Sequence, residues 1–280
     1  MSNLIDKVIR TRKITEDILI KSLSSIDGLT EIEIHKKLLE ELEKHTELFP
    51  EGYYSPPPAG IAVILDQKPF KRLHYDSLRN SLYWPNNSSK FEPETVAMVY
   101  LSPIDRETNM IGDMGLTIYR GSDSLIKEHV KMSYEGILNI AKHAQIGMTF
   151  KELCTFATDS FEGKLKITKW TAMNSDPNQS VNLGHTVPGS LGENFAPSKN
   201  FEEAKENIRV RRIPFIDTQN FTIPGTCAFT VESRTEDLYN GDMPSVHFHF
   251  MVCFDKGKKT ILDNFGEIFK IVGMDYMDKK

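Results

Sequence analysis

Five residues of this 280-residue chain have side chains suited to holding a divalent ion: Asp113, Asp123, His185, Glu232 and His249. Carboxylate oxygens and imidazole nitrogens are the usual donors for such ions. The five are far apart in the chain, and each lies in a short strand-like or turn-like segment, so a fold that gathers them builds a metal centre. His247 and His249 alternate in the run Val246 to Phe250. Residues two apart on a strand share a face, so both imidazoles look one way while Phe248 and Phe250 pack behind them. Two histidines on an apolar strand are costly to bury without partners, which favours a ligand role for at least one. Glu232 follows the apolar run Cys227 to Val231 and needs a cation or a donor for the same reason. Taken alone, Asp113 in Asp-x-Gly reads as a turn residue, and His185 between Gly184 and Thr186 as a loop residue. His35, His45 and His143 fall on charged helical stretches and read as solvent-facing.

The elements that must position these residues show a weak internal repeat. Residues 3–26 read as a helix, and after Gly28 a second helix opens at Thr30, with Glu33 at capping-box spacing. Residues 131–145 read as a third helix, and after Gly147 a fourth opens at Thr149 with Glu152. Both signals recur at the same offset of 119 positions, from 28 to 147 and from 30 to 149. Gly28 and Gly147 fit left-handed helix ends. Strand-like runs follow at 60–65, 96–101, 115–119, 226–232, 245–254 and 259–262, with a turn at Asp255-Lys256-Gly257. Two helix pairs, each beside strand-rich sequence, predict two pseudo-symmetric α/β halves. The stretch between Trp170 and Asn200 reads as loop, and no linker divides the chain, so residues 1–280 read as one domain.

Composition narrows the function. A net charge of −5 does not favour nucleic acid as the main partner. The one basic cluster, Arg209, Arg211 and Arg212 around Val210, reads as a solvated edge strand. Three scattered cysteines, Cys154, Cys227 and Cys253, form neither a disulfide framework nor a thiolate zinc cluster and read as buried, inert thiols. No apolar run is long enough to cross a bilayer, and a soluble, cytoplasmic protein with no membrane partner is expected.

Gly112-Asp113-Met114-Gly115, the aspartate in Gly121-Ser122-Asp123, the Gly184-His185 turn, the Thr230-Val231-Glu232 strand and the last polar strand resemble the pita-bread metalloenzymes. These are methionine aminopeptidase, aminopeptidase P, prolidase and creatinase. The resemblance covers nearly the whole chain and leaves no room for an extra N-terminal domain. It implies an α+β fold with two pseudo-symmetric halves around a curved antiparallel sheet. It also implies that Asp113, Asp123, His185 and Glu232 match four of the family's five metal ligands. His249 stands where the family has a glutamate that bridges two metals. An imidazole coordinates through one nitrogen at a time, so about one metal (Mn, Fe, Co or Zn) per chain is expected. The set expected to hold it is Asp123, His185, Glu232 and His249, with Asp113 as a weaker ligand or proton acceptor. The aspartates are ten residues apart, one fewer than in the family, which calls for a bulge or shortened turn, and Glu128 or His129 is a possible substitute near the metal. His74 resembles the family's substrate-contacting histidine, and His247 is placed to orient substrate or stabilise an oxyanion. The implied activity is hydrolysis of a C–N bond in a small peptide or amino-acid derivative, in a possible homodimer. A mononuclear iron or manganese oxidase, oxygenase or lyase is the alternative, and a non-catalytic binding module the third reading.

Overall fold

A computed structural model describes residues 4–278 except 162, 164, 168–181 and 193–196. The chain opens with helices α1 (Leu4–Leu23) and α2 (Glu31–Glu43), then strands β1 (Leu48–Gly52), β2 (Ala62–Asp66), β3 (Val96–Leu101), β4 (Pro103–Asp105) and β5 (Met114–Ile118). The second half repeats the plan: α3 (Ser124–His143), α4 (Phe150–Phe161), β6 (Leu165–Ile167), β7 (Asn182–His185), α5 (Phe201–Arg211), β8 (Pro214–Ile216), β9 (Cys227–Asp237), β10 (Val246–Asp255) and β11 (Lys258–Leu262). A short α6 (Gly266–Ile271) follows.

The main sheet is antiparallel, in the order β2-β3-β5-β10-β9-β6, with β11 also pairing with β10. Three strands from each half meet at the seam between β5 and β10, where Phe248 pairs with Leu116. Each half has the same plan of helix pair, edge strand, then two inner strands. The expected capping boxes are both present. Thr30 accepts from the Glu33 N–H while the Glu33 carboxylate accepts from Thr30. Thr149 and Glu152 make the same reciprocal pair. Gly28 and Gly147 hold positive φ of 72° and 88°.

Behind the seam, Phe248 and Phe250 are fully buried against Tyr134, each with ring centroids 5.2 Å away, and against Phe265. Burying each such ring is worth about 2–3 kcal/mol. This cluster fixes which face of β10 looks inward, and therefore which way His247 and His249 point.

Three expectations are corrected. The third helix begins at Ser124 rather than 131, because the Asp123 carboxylate accepts from the N–H groups of Leu125 and Ile126 and so caps it. Arg209 and Arg211 lie on helix α5 and Arg212 just beyond it, not on an edge strand. Asn200 caps α5, and Glu206 pairs with Arg209 one turn on. A four-residue charged alternation does not distinguish a strand from one turn of helix. The three histidines read as helical and solvent-facing are half-buried, and His45 lies past the end of α2: His143 stacks on Phe156 at 3.5 Å, and His35 meets the Pro58 carbonyl at 3.0 Å. All three cysteines are buried and free, and burial pushes their thiols up. Most of the stretch read as loop between Trp170 and Asn200 lies outside the described residues. Among the described residues no helix is long and apolar enough to cross a membrane.

Candidate metal centre

Glu232 and His249 are direct cross-strand partners on β9 and β10, so their side chains share the inner face. His249 Nε2 lies 3.0 Å from Glu232 Oε2. One position along from the Phe248–Leu116 pair, His249 runs beside Gly115, which pairs with Tyr100. Tyr100, Gly115, His249 and Glu232 thus make one rung across four strands. A side chain at position 115 would sit 3.1 Å from the Tyr100 ring and 3.2 Å from the His247 ring. Glycine leaves that space open, and the Tyr100 and His249 rings pack edge-on with centroids 5.2 Å apart.

Asp113 precedes β5 and is only 1% exposed. Its two oxygens reach His185 Nε2 at 3.4 Å and His249 Nδ1 at 3.5 Å. His185 ends β7 and places the same Nε2 3.6 Å from Glu232 Oε1. Its Nδ1 is 3.0 Å from the Thr186 carbonyl and donates to it, which turns Nε2 toward Asp113 and Glu232. Gly184 makes this approach possible. Its φ of +134° suits glycine, and a Cβ there would be 2.5 Å from the Thr230 carbonyl.

The four side chains form a polar box in which His185 and Glu232 each keep one hydrogen bond outside it, to Thr186 and Thr230, while Asp113 and His249 have none. Both Asp113 oxygens and both His249 ring nitrogens are buried without a hydrogen-bond partner. Contacts of 3.4–3.5 Å without a hydrogen bond act through charge. Burial pushes the Asp113 carboxyl up, but the two imidazoles outweigh it and hold it well below the usual carboxylate range. Burial likewise pulls His249 down, and Glu232 and Asp113 outweigh that, raising it to about 9. Donor atoms of Asp113, His185 and Glu232 all lie within 4.8 Å of one another. Two carboxylates and an imidazole at that spacing, with orphaned buried donors beside them, fit a divalent cation.

The placement of the expected residues differs in one important respect. Asp113, His185, Glu232 and His249 come together, and Asp123 does not. Asp123 lies past the opposite end of β5, where it caps α3 and pairs with Lys68 at 2.6 Å. The strand β3, not the segment after β5, runs alongside the Asp113 end, with Leu101 paired to Met114. Tyr100 therefore stands near Asp113 where a second aspartate was expected. Burial first, and then Asp113 and Glu232, push its phenol well above its ordinary range. No bulge between the two aspartates is needed. Neither Glu128 nor His129 substitutes: His129 is buried on α3 and bonds the Pro244 carbonyl at 2.9 Å.

The polar face continues along β9 and β10. His247 pairs with Arg234, and its ring centroid is 4.3 Å from that of His249. Part of the residue is exposed, yet both ring nitrogens are buried and unpartnered. Burial, helped by His249 and Arg234, holds His247 neutral. One rung further, Ser245 and Glu236 are 3.1 Å apart, and His74 Nδ1 is 3.2 Å from Ser245 Oγ and 3.5 Å from Glu236. The sequence reading did not single out Tyr100, Tyr53 or Arg12, and it named Thr230 only as part of a strand motif. Tyr53 packs edge-on to His185 at 6.3 Å with a buried, unpartnered hydroxyl. Arg12 was legible in principle, because Ile5, Val8, Arg12, Thr15 and Leu19 keep a 3-4-3-4 spacing that puts the arginine on a buried stripe.

Solved structures share this architecture. A methionine aminopeptidase from Rickettsia prowazekii superposes with a TM-score of 0.64 at 11% identity, over 93% of this chain and 96% of its own. The chain has the pita-bread fold. An X-Pro aminopeptidase from Thermotoga maritima matches at 0.61 and 15% identity, and a prolidase from Pyrococcus furiosus at 0.58 and 14%, each over 92% of this pita-bread chain. The chain spans 60% of the first and 63% of the second. No protein-family model matches the sequence, and no curated protein matches it.

Proposed function

We propose that this chain is a metal-dependent enzyme that hydrolyses a C–N bond in a short peptide or amino-acid derivative. One divalent cation, Mn, Fe, Co or Zn, would be held by Asp113, His185, Glu232 and His249. The observation that carries this reading is the cluster of Asp113, His185, Glu232 and His249, in which the polar atoms of Asp113 and His249 are buried without hydrogen bonds, in a fold shared with proteins named as aminopeptidases and a prolidase. A cation bound there supplies polarisation of a carbonyl and a water whose pKa is lowered to roughly 7. His247, neutral and beside His249, is placed to accept or donate a hydrogen bond at the reacting group. His74, at the far end of the polar row, is placed to orient the substrate. Asp113 is a ligand here, and its depressed carboxyl makes it too weak a base for the alternative role of proton acceptor. A non-catalytic module gains nothing from burying Asp113 and His249 with no hydrogen bond to any of their four polar atoms, which costs stability.

One observation favours a second reading, a mononuclear oxidase, oxygenase or lyase. With Asp123 outside the box, two imidazoles face only two carboxylates, close to the ligand sets of non-haem iron and manganese enzymes. The test is direct. Metal analysis should find about one equivalent per chain, and the Mn- or Co-loaded protein under anaerobic conditions should release free amine from short peptides. Two equivalents of equal affinity would remove the single-ion centre. Activity that needs Fe(II) and consumes O₂, with the peptides uncut, would replace hydrolysis by the second reading.

A further inference from the structure

Arg12 has no exposed surface, and helix α1 places it under the seam between β5 and β10. Its Nη1 donates to the backbone carbonyl of Asp113, and its Nη2 to that of His249 at 2.6 Å. The two carbonyls belong to box residues from opposite halves of the sheet, separated by 136 positions of sequence. Nothing else named at the site ties those two residues together through backbone. The other pair has its own tie: Thr230 Oγ1 accepts from the His185 N–H at 3.0 Å and lies 3.3 Å from Glu232 Oε1.

We propose that Arg12 is a positioning residue: its guanidinium fork fixes the separation of Asp113 and His249 and thereby sets the affinity of the box for a cation. This rests on the metal-centre reading above. A planar guanidinium spans two acceptors with one rigid geometry, which a single ammonium cannot do. Its charge acts in the opposite direction. Although burial lowers Arg12 to about 10, it stays protonated at neutral pH and repels a cation bound nearby. Asp113 first, then Glu16 and Asp263, offset part of that charge. Charge and geometry therefore predict opposite signs for a neutral substitution. If charge dominates, Arg12→Met tightens cation binding; if the fork dominates, it weakens it.

The experiment titrates Co(II) and Zn(II) into the metal-free full-length chain by calorimetry, for the unsubstituted protein, Arg12→Met and Arg12→Lys, with thermal melts alongside. The expected result is a 10–100-fold loss of affinity per folded molecule in both variants, the usual cost of removing a group that orients ligands. The visible spectrum of bound Co(II) should change with it, because the ligand separation changes. A merely structural role lowers the melting temperature and leaves the Kd and the Co(II) spectrum as they were. Equal or tighter binding in Arg12→Lys and Arg12→Met overturns the proposal while leaving the metal centre standing. No uptake by the unsubstituted protein overturns the metal centre itself. Should neither variant fold, proton exchange at the Arg12 guanidinium of the unsubstituted chain decides. Positioning requires it to slow when Zn(II) binds, and an unchanged rate overturns it.

Discussion

Asp113 and Asp123 have the same side chain and opposite surroundings. Asp113 is buried among two imidazoles, whereas Asp123 keeps 27% of its side chain exposed, caps a helix and meets Lys68. Their substitutions should separate cleanly. Asp113→Ala should abolish tight metal binding, while Asp123→Ala should leave the affinity unchanged and cost about 1 kcal/mol of stability through the lost cap. A calorimetric titration and a denaturant melt of both variants check this, and loss of metal in Asp123→Ala would return that residue to the site. The contrast also explains what was legible. The resemblance to the pita-bread metalloenzymes, carried by motifs in a given order along the chain, brought His185, Glu232 and His249 together in the reading. The choice between the aspartates was not open to sequence, because it depends on strand pairing: Leu101 of β3 faces Met114, which puts Tyr100 where a carboxylate was expected.

Elements, more than single residues, decide whether the box closes. β7 carries His185 to Glu232 only because Gly184 lets the backbone press against Thr230. Gly184→Ala forces a Cβ to within 2.5 Å of the Thr230 carbonyl at a φ that alanine adopts only under strain. The expected cost is roughly 2–3 kcal/mol, with weaker metal binding because His185 is pushed off its position. A lower melting temperature with unchanged metal affinity would mean that β7 relaxes without moving His185. Capping boxes and glycine helix ends were readable because they are local chemistry. The start of α3 and the helical state of residues 201–211 were not. One rests on which of several polar residues wins the cap, the other on a charged stretch whose pattern suits either structure.

At the scale of the molecule, the repeat seen at an offset of 119 positions corresponds to two helix pairs and two three-strand halves, joined at β5 and β10. The box lies at that seam, so its geometry reports how the halves dock. Its polar extension along β9 and β10 also makes the fold sensitive to acid. Glu236 is held at about 2, first by His74 and then by Lys166 and Arg234, against the opposing effect of burial. A carboxylate held below its unfolded value of 4.5 stabilises the fold at pH values above that value. As pH falls from about 4.5 to 2 the native state loses this advantage, since the unfolded chain takes up the proton first. The full shift corresponds to about 3 kcal/mol. Denaturant melts from pH 6 to 2.5 should therefore show a steeper loss for the natural chain than for Glu236→Gln, which has no proton to gain there. His74→Ala should flatten the same curve in part, because it removes the largest of the stabilising contacts. Parallel curves for all three proteins would show that the His74–Glu236 pair contributes nothing to holding β9, β10 and the segment around His74 together.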